Sequence, residues 1–266
     1  MSEPKPQPSK SGESVGKTLL IALLVSLACS SLVASAAVLL KPYQIENQLL
    51  DIRRNILEVA GLLWTEGDIN ELFETIETRV VDLETGAYVD DVDPATFDAL
   101  EAAKDPQLSV AVPPELDRAR IGRRAKMGLV YLVRRDDAIQ KIILPVSGYG
   151  LWSTMYGFIS LEPDGNTVSD ISFYEHGETP GLGDQIAKPR WRARWQDKRI
   201  YDESGALRIE VVKGRVPAGD PLAAYRVDGI SGATLTGNGV THLIRYWLGD
   251  HGYGPYLRAL REGEGT

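Results

Sequence analysis

The chain is poor in cysteine and has no excess of positive charge. Its single cysteine, Cys29, has no partner for an internal disulfide and alone cannot hold zinc or an iron–sulfur cluster. The 29 Lys and Arg are outnumbered by 37 Asp and Glu, and the net charge of −8 argues against general binding to nucleic acid. We therefore expect no metal site and no nucleic-acid partner. With 43% hydrophobic residues, the composition is that of a globular protein.

An uncharged run of 23 residues, Thr18 to Leu40, is the strongest hydropathy signal. As a helix it reaches roughly 34 Å, enough to cross a hydrocarbon core of about 30 Å, and it predicts a transmembrane helix over residues 18–40. Two competing interpretations are a signal peptide cleaved after Ala34-Ser35-Ala36 and a lipoprotein anchored through Cys29.

The orientation of this helix does not follow from the flanking charges. Three basic residues precede the run and three follow it, so the positive-inside rule gives a tie. A short leader before one apolar segment is typical of a signal anchor, which predicts an exported C-terminal part. Residues 1–17 are rich in Pro, Ser and Lys and are predicted to be a disordered cytoplasmic leader.

The exported part is predicted to be α+β, with an antiparallel sheet flanked by helices. Residues 41–126 form its helical N-terminal part, with one amphipathic helix from Ile45 to Gly61 and a short one from Ile69 to Glu77. Residues 127–266 form the second part. Strands are predicted at Met127–Val133, Ile139–Leu144, Trp152–Leu161 and Val168–Tyr174, and helices end near Gly249 and Leu260.

The segment Asp228-Gly229-Ile230-Ser231-Gly232-Ala233-Thr234 combines small residues and hydroxyls just before a helix. Backbone amides and the helix dipole at such a start favour an anion such as phosphate. The competing interpretation is structural: Ser231, Thr236 or Asn238 caps the helix and the glycines serve the turn. Spacing alone leaves both open.

This segment resembles the flavinylation motif, Asp-x-x-Ser/Thr-Gly-Ala-Thr, of FMN-binding domains in the Na+-translocating NADH:quinone oxidoreductase and the Rnf complex. The resemblance implies that a separate FAD-dependent transferase joins FMN through its phosphate to Thr234. Thr236 is the near neighbour to exclude. Asp228 is expected to orient the hydroxyl or to serve recognition. The motif residues expected near the cofactor are Asp228, Ser231, Gly232 and Ala233.

The similarity extends from about Tyr43 to Arg261 and favours the C subunit of the sodium pump over the shorter G subunit of Rnf. Matching stretches include Gly150–Gly157, Glu178–Gly183 and Trp247–Asp250. Carried over from the family, further FMN contacts are expected at Trp152, Ser153, Thr154, Thr179, Gly181 and Leu182.

Each of these motifs has a structural alternative. Trp152 is equally explained as a core indole, and Thr179 to Gly183 as an ordinary loop. The adjacent His176 and Glu178 are expected to be surface residues. The basic stretch Lys188 to Arg199 is expected to be a solvated face with buried Trp, and docking onto lipid headgroups or an acidic partner is the alternative.

The resemblance implies a membrane-anchored flavoprotein of the inner membrane, with a periplasmic domain that relays electrons through covalent FMN inside a sodium-transporting NADH:ubiquinone reductase. No catalytic residue is expected, since flavin chemistry belongs to the cofactor. The partners implied are the other subunits, the transferase and the lipid bilayer. The alternatives are an Rnf-type flavin subunit and a non-enzymatic anchored module for assembly or sensing.

Overall fold

The computed structural model describes residues 14–63 and 67–263. Most of the leader predicted to be disordered, residues 1–13, lies outside these described residues. By internal contacts the chain divides into two compact units, the first ending at Leu49 and the second beginning at Leu50.

Helix α1 is continuous from Val15 to Ala60 and contains the whole uncharged run. Side chains such as Leu23, Leu32 and Leu39 are exposed. By length and composition this helix can cross a membrane, and a lipid environment would satisfy its exposed apolar surface. The predicted continuation of the helix past Leu40 is confirmed.

The second unit also contains the remaining helices and all the strands. The helices are α2 Ile69–Glu74, α3 Ala99–Ala102, α4 Pro189–Arg192, α5 Thr234–Trp247 and α6 Gly254–Glu262, with 3-10 turns at Gly183–Ala187 and Ala223–Tyr225. The strands are β1 Ile76–Asp82, β2 Ser109–Ala111, β3 Arg123–Ala125, β4 Met127–Arg135, β5 Ala138–Tyr149, β6 Thr154–Leu161, β7 Val168–Glu175, β8 Glu210–Val211 and β9 Arg226–Val227.

The main sheet has five strands in the order β1-β4-β5-β6-β7, and every neighbouring pair is antiparallel. Its strands follow one another through short turns after β4. Asp136 and Asp137 join β4 to β5 with φ angles of 50° and 63°, as a two-residue hairpin turn requires. The predicted α+β class with an antiparallel sheet is confirmed.

Both faces of this sheet are buried, and neighbouring residues of β5 show it. Ile142 and Leu144 join the core that contains α5, whereas Ile143 joins the core formed with the last turns of α1. Successive side chains of a strand point to opposite faces. The sheet therefore lies between α5 on one face and residues 56–60 of α1 on the other.

The prediction of a helical stretch over 41–126 is only partly right. The short helix ends at Glu74, and the next residues form β1, which pairs with β4 from Ile76↔Val133 to Asp82↔Met127. Pairing with a distant strand outweighed the local helical pattern. Val81 and Val112 also share one core with Leu132, so this stretch packs together with the rest of the sheet.

The basic stretch Lys188 to Arg199 buries its two tryptophans, as predicted. Trp191 and Trp195 are buried in edge-to-face contact, with ring centroids 5.6 Å apart. Arg192 between them is also buried and pairs with Asp170 of β7 at 2.7 Å and with Glu58 of α1. Burial opposes its charge, but these two carboxylates outweigh that cost and raise the pKa of Arg192.

Candidate functional site

Thr234 is the first residue of α5 and its side chain is exposed. The chain reaches it through Gly232, whose φ of +76° suits glycine, and through Ala233, the residue before the helix. Thr236 is only 1% exposed. Side chains two positions apart in a helix point in directions about 200° apart. Thr236 can therefore be buried while Thr234 is exposed.

The N-terminus of α5 has no side-chain cap. Neither Ser231 nor Asn238 nor Thr236 fills this role, which removes the explanation of these polar side chains as helix caps. The first amides of a helix have no acceptor within the helix. Here they remain available to an anion beside Thr234, with the helix dipole adding to the attraction.

Trp152 lies in the connection between β5 and β6 and is 62% exposed. The alternative that it is a core indole is therefore wrong. Its indole Nε1–H donates to Thr179 Oγ1 at 3.0 Å, and its carbonyl accepts from the Tyr149 hydroxyl at 2.9 Å. A large aromatic face is thus held in a fixed position at the surface.

Leu182 brings the loop 176–183 against the motif before α5. It is 43% exposed, and a Cβ placed on Gly232 would lie 3.0 Å from Leu182 Cδ2. Gly181 precedes it with φ +78°. We call the exposed set Trp152, Thr179 and Leu182 the ring platform. A hydrogen bond joins Trp152 to Thr179, and Leu182 lies close to Gly232 of the motif.

The hydroxyl of Ser153, a predicted site residue, is engaged within the protein. Ser153 Oγ accepts the Gly177 amide at 2.6 Å and donates to the Thr154 carbonyl at 3.1 Å. Thr154 begins β6 opposite Tyr149. The Ser153 hydroxyl therefore joins the β5–β6 connection to the loop that begins at His176.

Asp228 fastens the motif to the preceding loop. Its carboxylate accepts the Val216 amide at 2.8 Å and lies 3.7 Å from the Arg194 guanidinium. Its carbonyl accepts from the Trp191 indole at 3.0 Å. Within the described residues these groups, and not the Thr234 hydroxyl, are its partners, so the structure gives Asp228 a role in shaping the loop.

Close backbone packing places the middle of α5 against the end of β5. A Cβ on Gly239 would lie 2.7 Å from the Tyr149 carbonyl oxygen, and one on Gly148 would lie 2.6 Å from Leu243 Cβ. Larger residues at these glycines would push the helix away. Helix α5 and the turn that carries Trp152 are consequently neighbours.

The expectation that Glu178 is a surface residue is wrong, because it is only 4% exposed. It accepts hydrogen bonds from the amides of Leu151 and Trp152 and from the Thr236 hydroxyl. Its neighbour His176 is half-buried. The only sequence signal for the burial of Glu178 was its place as the single acidic residue in an otherwise uncharged loop, Gly177 to Gly183.

The fold and this surface define the class of the protein as an FMN-binding domain: the family model of that description matches residues 150–249. The matched segment contains the β5–β6 connection, the loop 176–183 and all of α5. The predicted cofactor class, FMN, agrees with this match.

Two relatives and one solved structure show which FMN-binding proteins this chain resembles. The C subunit of the Na(+)-translocating NADH-quinone reductase from Yersinia pestis is 50% identical over 259 residues, 96% of each chain. The Pseudomonas aeruginosa subunit is 48% identical and covers 95% of this chain and 98% of its own. The crystal structure of Shewanella oneidensis NqrC matches with TM-score 0.72 and 33% identity, over 80% of this chain and 97% of that one.

This chain belongs to the NqrC family, the C subunits of the Na+-translocating NADH-quinone reductase. The resemblance noted in the sequence is confirmed, and the choice of this subunit over an Rnf-type flavin subunit agrees with the names of these relatives.

Proposed function

We propose that this chain carries FMN as a phosphoester on Thr234 and relays electrons between other subunits of a sodium-transporting NADH:ubiquinone reductase. One observation carries the proposal: the Thr234 hydroxyl is exposed on an uncapped helix start, and the turn that packs against the same helix carries an exposed aromatic face held by a hydrogen bond. The chain acts as a subunit of an enzyme and does not catalyse the reaction alone.

Attachment is a phosphoryl transfer from FAD inside a separate transferase. The Thr234 oxygen bonds to the FMN-side phosphorus, the bond between the two phosphates breaks, and AMP leaves with the bridging oxygen. The hydroxyl proton passes to a base of the transferase or to solvent. The small residues Ser231, Gly232 and Ala233 leave room for this approach, because none of their side chains is larger than a hydroxymethyl group.

The residues of this chain fit the two ends of FMN. The free amides of the first turn of α5 suit the phosphate, and the Trp152 face suits stacking of the ring. The Thr179 hydroxyl accepts the indole N–H and retains its own hydrogen for an acceptor at the ring edge. Leu182 excludes water on one side. FMN itself supplies the transfer of electrons.

The direct test uses the assembled complex and the isolated full-length chain, each produced together with the transferase. Flavin should remain on this chain after denaturation, because the ester is covalent. NADH should reduce it only in the complex, since the proposal places the NADH and quinone sites on partner subunits. Reduction of the isolated chain by NADH, or complete loss of flavin on denaturation, would contradict the proposal.

We further propose that α1 anchors the chain in the inner membrane with the second unit in the periplasm. The uncharged run from Thr18 to Leu40 supports the anchor, and a long domain that follows one apolar segment crosses the membrane largely regardless of its charge. In this topology the domain meets its transferase outside the cytoplasm.

Protease added to spheroplasts should digest the part of the chain that follows Lys41, because that part faces outward. A cytoplasmic marker protein in the same sample should remain intact, which controls for lysis. Full protection of the domain in sealed right-side-out membranes, followed by digestion after detergent, would reverse the proposed orientation.

A further inference from the structure

The most unusual group near the proposed flavin site is a buried carboxylate without a cation. Glu178 forms no ion pair with any Lys, Arg or His in residues 14–63 and 67–263. Burying a charge is costly unless hydrogen bonds compensate it. A buried Glu178 carboxylate therefore needs hydrogen-bond donors to offset its desolvation, and the structure has three.

The donors come from two separate segments. Glu178 Oε1 accepts the amides of Leu151 and Trp152 at 2.9 and 3.1 Å. Glu178 Oε2 accepts the hydroxyl of Thr236 in the first turn of α5. One carboxylate thus links the turn that carries the exposed indole to the helix turn that carries Thr234.

Two glycines leave the space that this carboxylate fills. A Cβ on Gly150 would lie 2.4 Å from Glu178 Oε1, and one on Gly183 would lie 2.8 Å from both Glu178 Oε2 and Thr236 Oγ1. These distances are shorter than any normal contact. The glycines on either side of the ring platform are therefore required by Glu178, which indicates that its position is built into the fold.

We propose that Glu178 is a positioning residue that fixes the distance between the attachment residue, Thr234, and the ring platform. The inference rests on the proposed function, because it concerns FMN tethered at Thr234. A tether through the phosphate leaves the ribityl chain free to rotate. The ring therefore stays on Trp152 only if the two ends of the site keep one arrangement, and Glu178 connects both.

The same carboxylate also sets the electrostatics of the site. It is bonded to the Trp152 backbone and directly precedes Thr179, so its negative charge, itself shielded from water, lies next to the exposed ring platform. A nearby negative charge in such surroundings disfavours the addition of further negative charge. Glu178 therefore lowers the reduction potential of a flavin docked on this platform.

Two substitutions separate these effects. Glu178→Gln keeps the shape and the acceptor for the two amides but removes the charge. Glu178→Asp keeps the charge but is one methylene shorter, so it does not span both the Leu151–Trp152 amides and Thr236. The matched control is Glu175→Gln, which removes the same charge at an exposed position three residues earlier. Each full-length variant is produced with the transferase and purified in detergent.

Intact mass, flavin fluorescence anisotropy and midpoint potential are measured for each variant. All should carry one FMN. Glu178→Gln should raise the midpoint potential. Glu178→Asp should lower the anisotropy, with the docked population of the ring falling about tenfold, equivalent to about 1.4 kcal/mol. Glu175→Gln should match the unchanged chain in both measurements.

The inference is overturned if Glu178→Gln leaves the midpoint potential unchanged and Glu178→Asp leaves the anisotropy unchanged. In that case FMN on Thr234, and so the proposed function, still stands. Absence of covalent FMN from the unchanged chain overturns both. If the Glu178 variants fail to fold, Thr236→Val decides, since it removes one donor and leaves Glu178 in place. Lower anisotropy with FMN retained then supports the inference, and unchanged anisotropy contradicts it.

Discussion

Replacing Thr234 with valine should abolish covalent FMN completely. Valine keeps the branched shape of threonine and removes only the hydroxyl, so α5 should still begin at the same residue. The purified variant should lack the mass of one FMN less one water, and its band in a denaturing gel should not fluoresce. The expected effect is total because the phosphoester has no other oxygen to form on at this position.

Thr236→Ala is the matched control for this loss. Thr236 is two residues away and buried, and its hydroxyl already donates to Glu178. The transferase therefore does not reach it in the folded domain, and Thr236→Ala should keep the label. A peptide map should place FMN on the peptide that contains Thr234 in both the unchanged chain and this control. Flavin that persists on Thr234→Val would disprove the assignment.

Local patterns in the sequence were enough to predict the elements whose residues are close together. The apolar spacing of Val240, Leu243 and Ile244 predicted α5, and these residues are buried. The paired aspartates at 136 and 137 predicted the turn before β5. The small residues and hydroxyls from Asp228 to Thr234 predicted a turn that opens onto a helix, and α5 begins at Thr234. In each case the physical cause lies within a few residues of the pattern.

The sequence did not predict features that depend on partners far along the chain. Residues 76–82 form a strand that pairs with β4, about 50 residues later; the β-branched residues Ile76, Thr78 and Val80 suit a strand, but the sequence does not show which strand they pair with. Glu178 is buried because its donors lie 26, 27 and 58 residues away. A single sequence does not show which distant amides will meet a carboxylate. The exposure of Trp152 also depends on the packing of its neighbours, so the sequence left two interpretations open.

Replacing Trp152 with alanine should leave FMN attached but expose its ring. The indole lies at the surface and is held by Thr179, so its removal takes away a stacking face without opening the core. Stacking of this kind contributes about 1 kcal/mol, and its loss lowers the docked population about fivefold. Flavin fluorescence should rise, because close contact with an indole quenches it, and reduction of FMN within the complex should slow.

Two further variants distinguish the face of the indole from its hydrogen bond. Trp152→Phe keeps an aromatic face but loses both the indole and the bond to Thr179, so its fluorescence should rise as in Trp152→Ala, whereas its flavin anisotropy should fall between those of the unchanged chain and Trp152→Ala. Leu151→Ala is the matched control, an exposed apolar neighbour without an aromatic ring, and it should leave the fluorescence unchanged. The melting temperature should move little in all three, because the side chains altered lie at the surface. If Trp152→Ala instead lowers the melting temperature and leaves the flavin spectrum unaltered, Trp152 supports the fold alone and no longer belongs to the ring platform, whereas the assignment of Thr234 is unaffected.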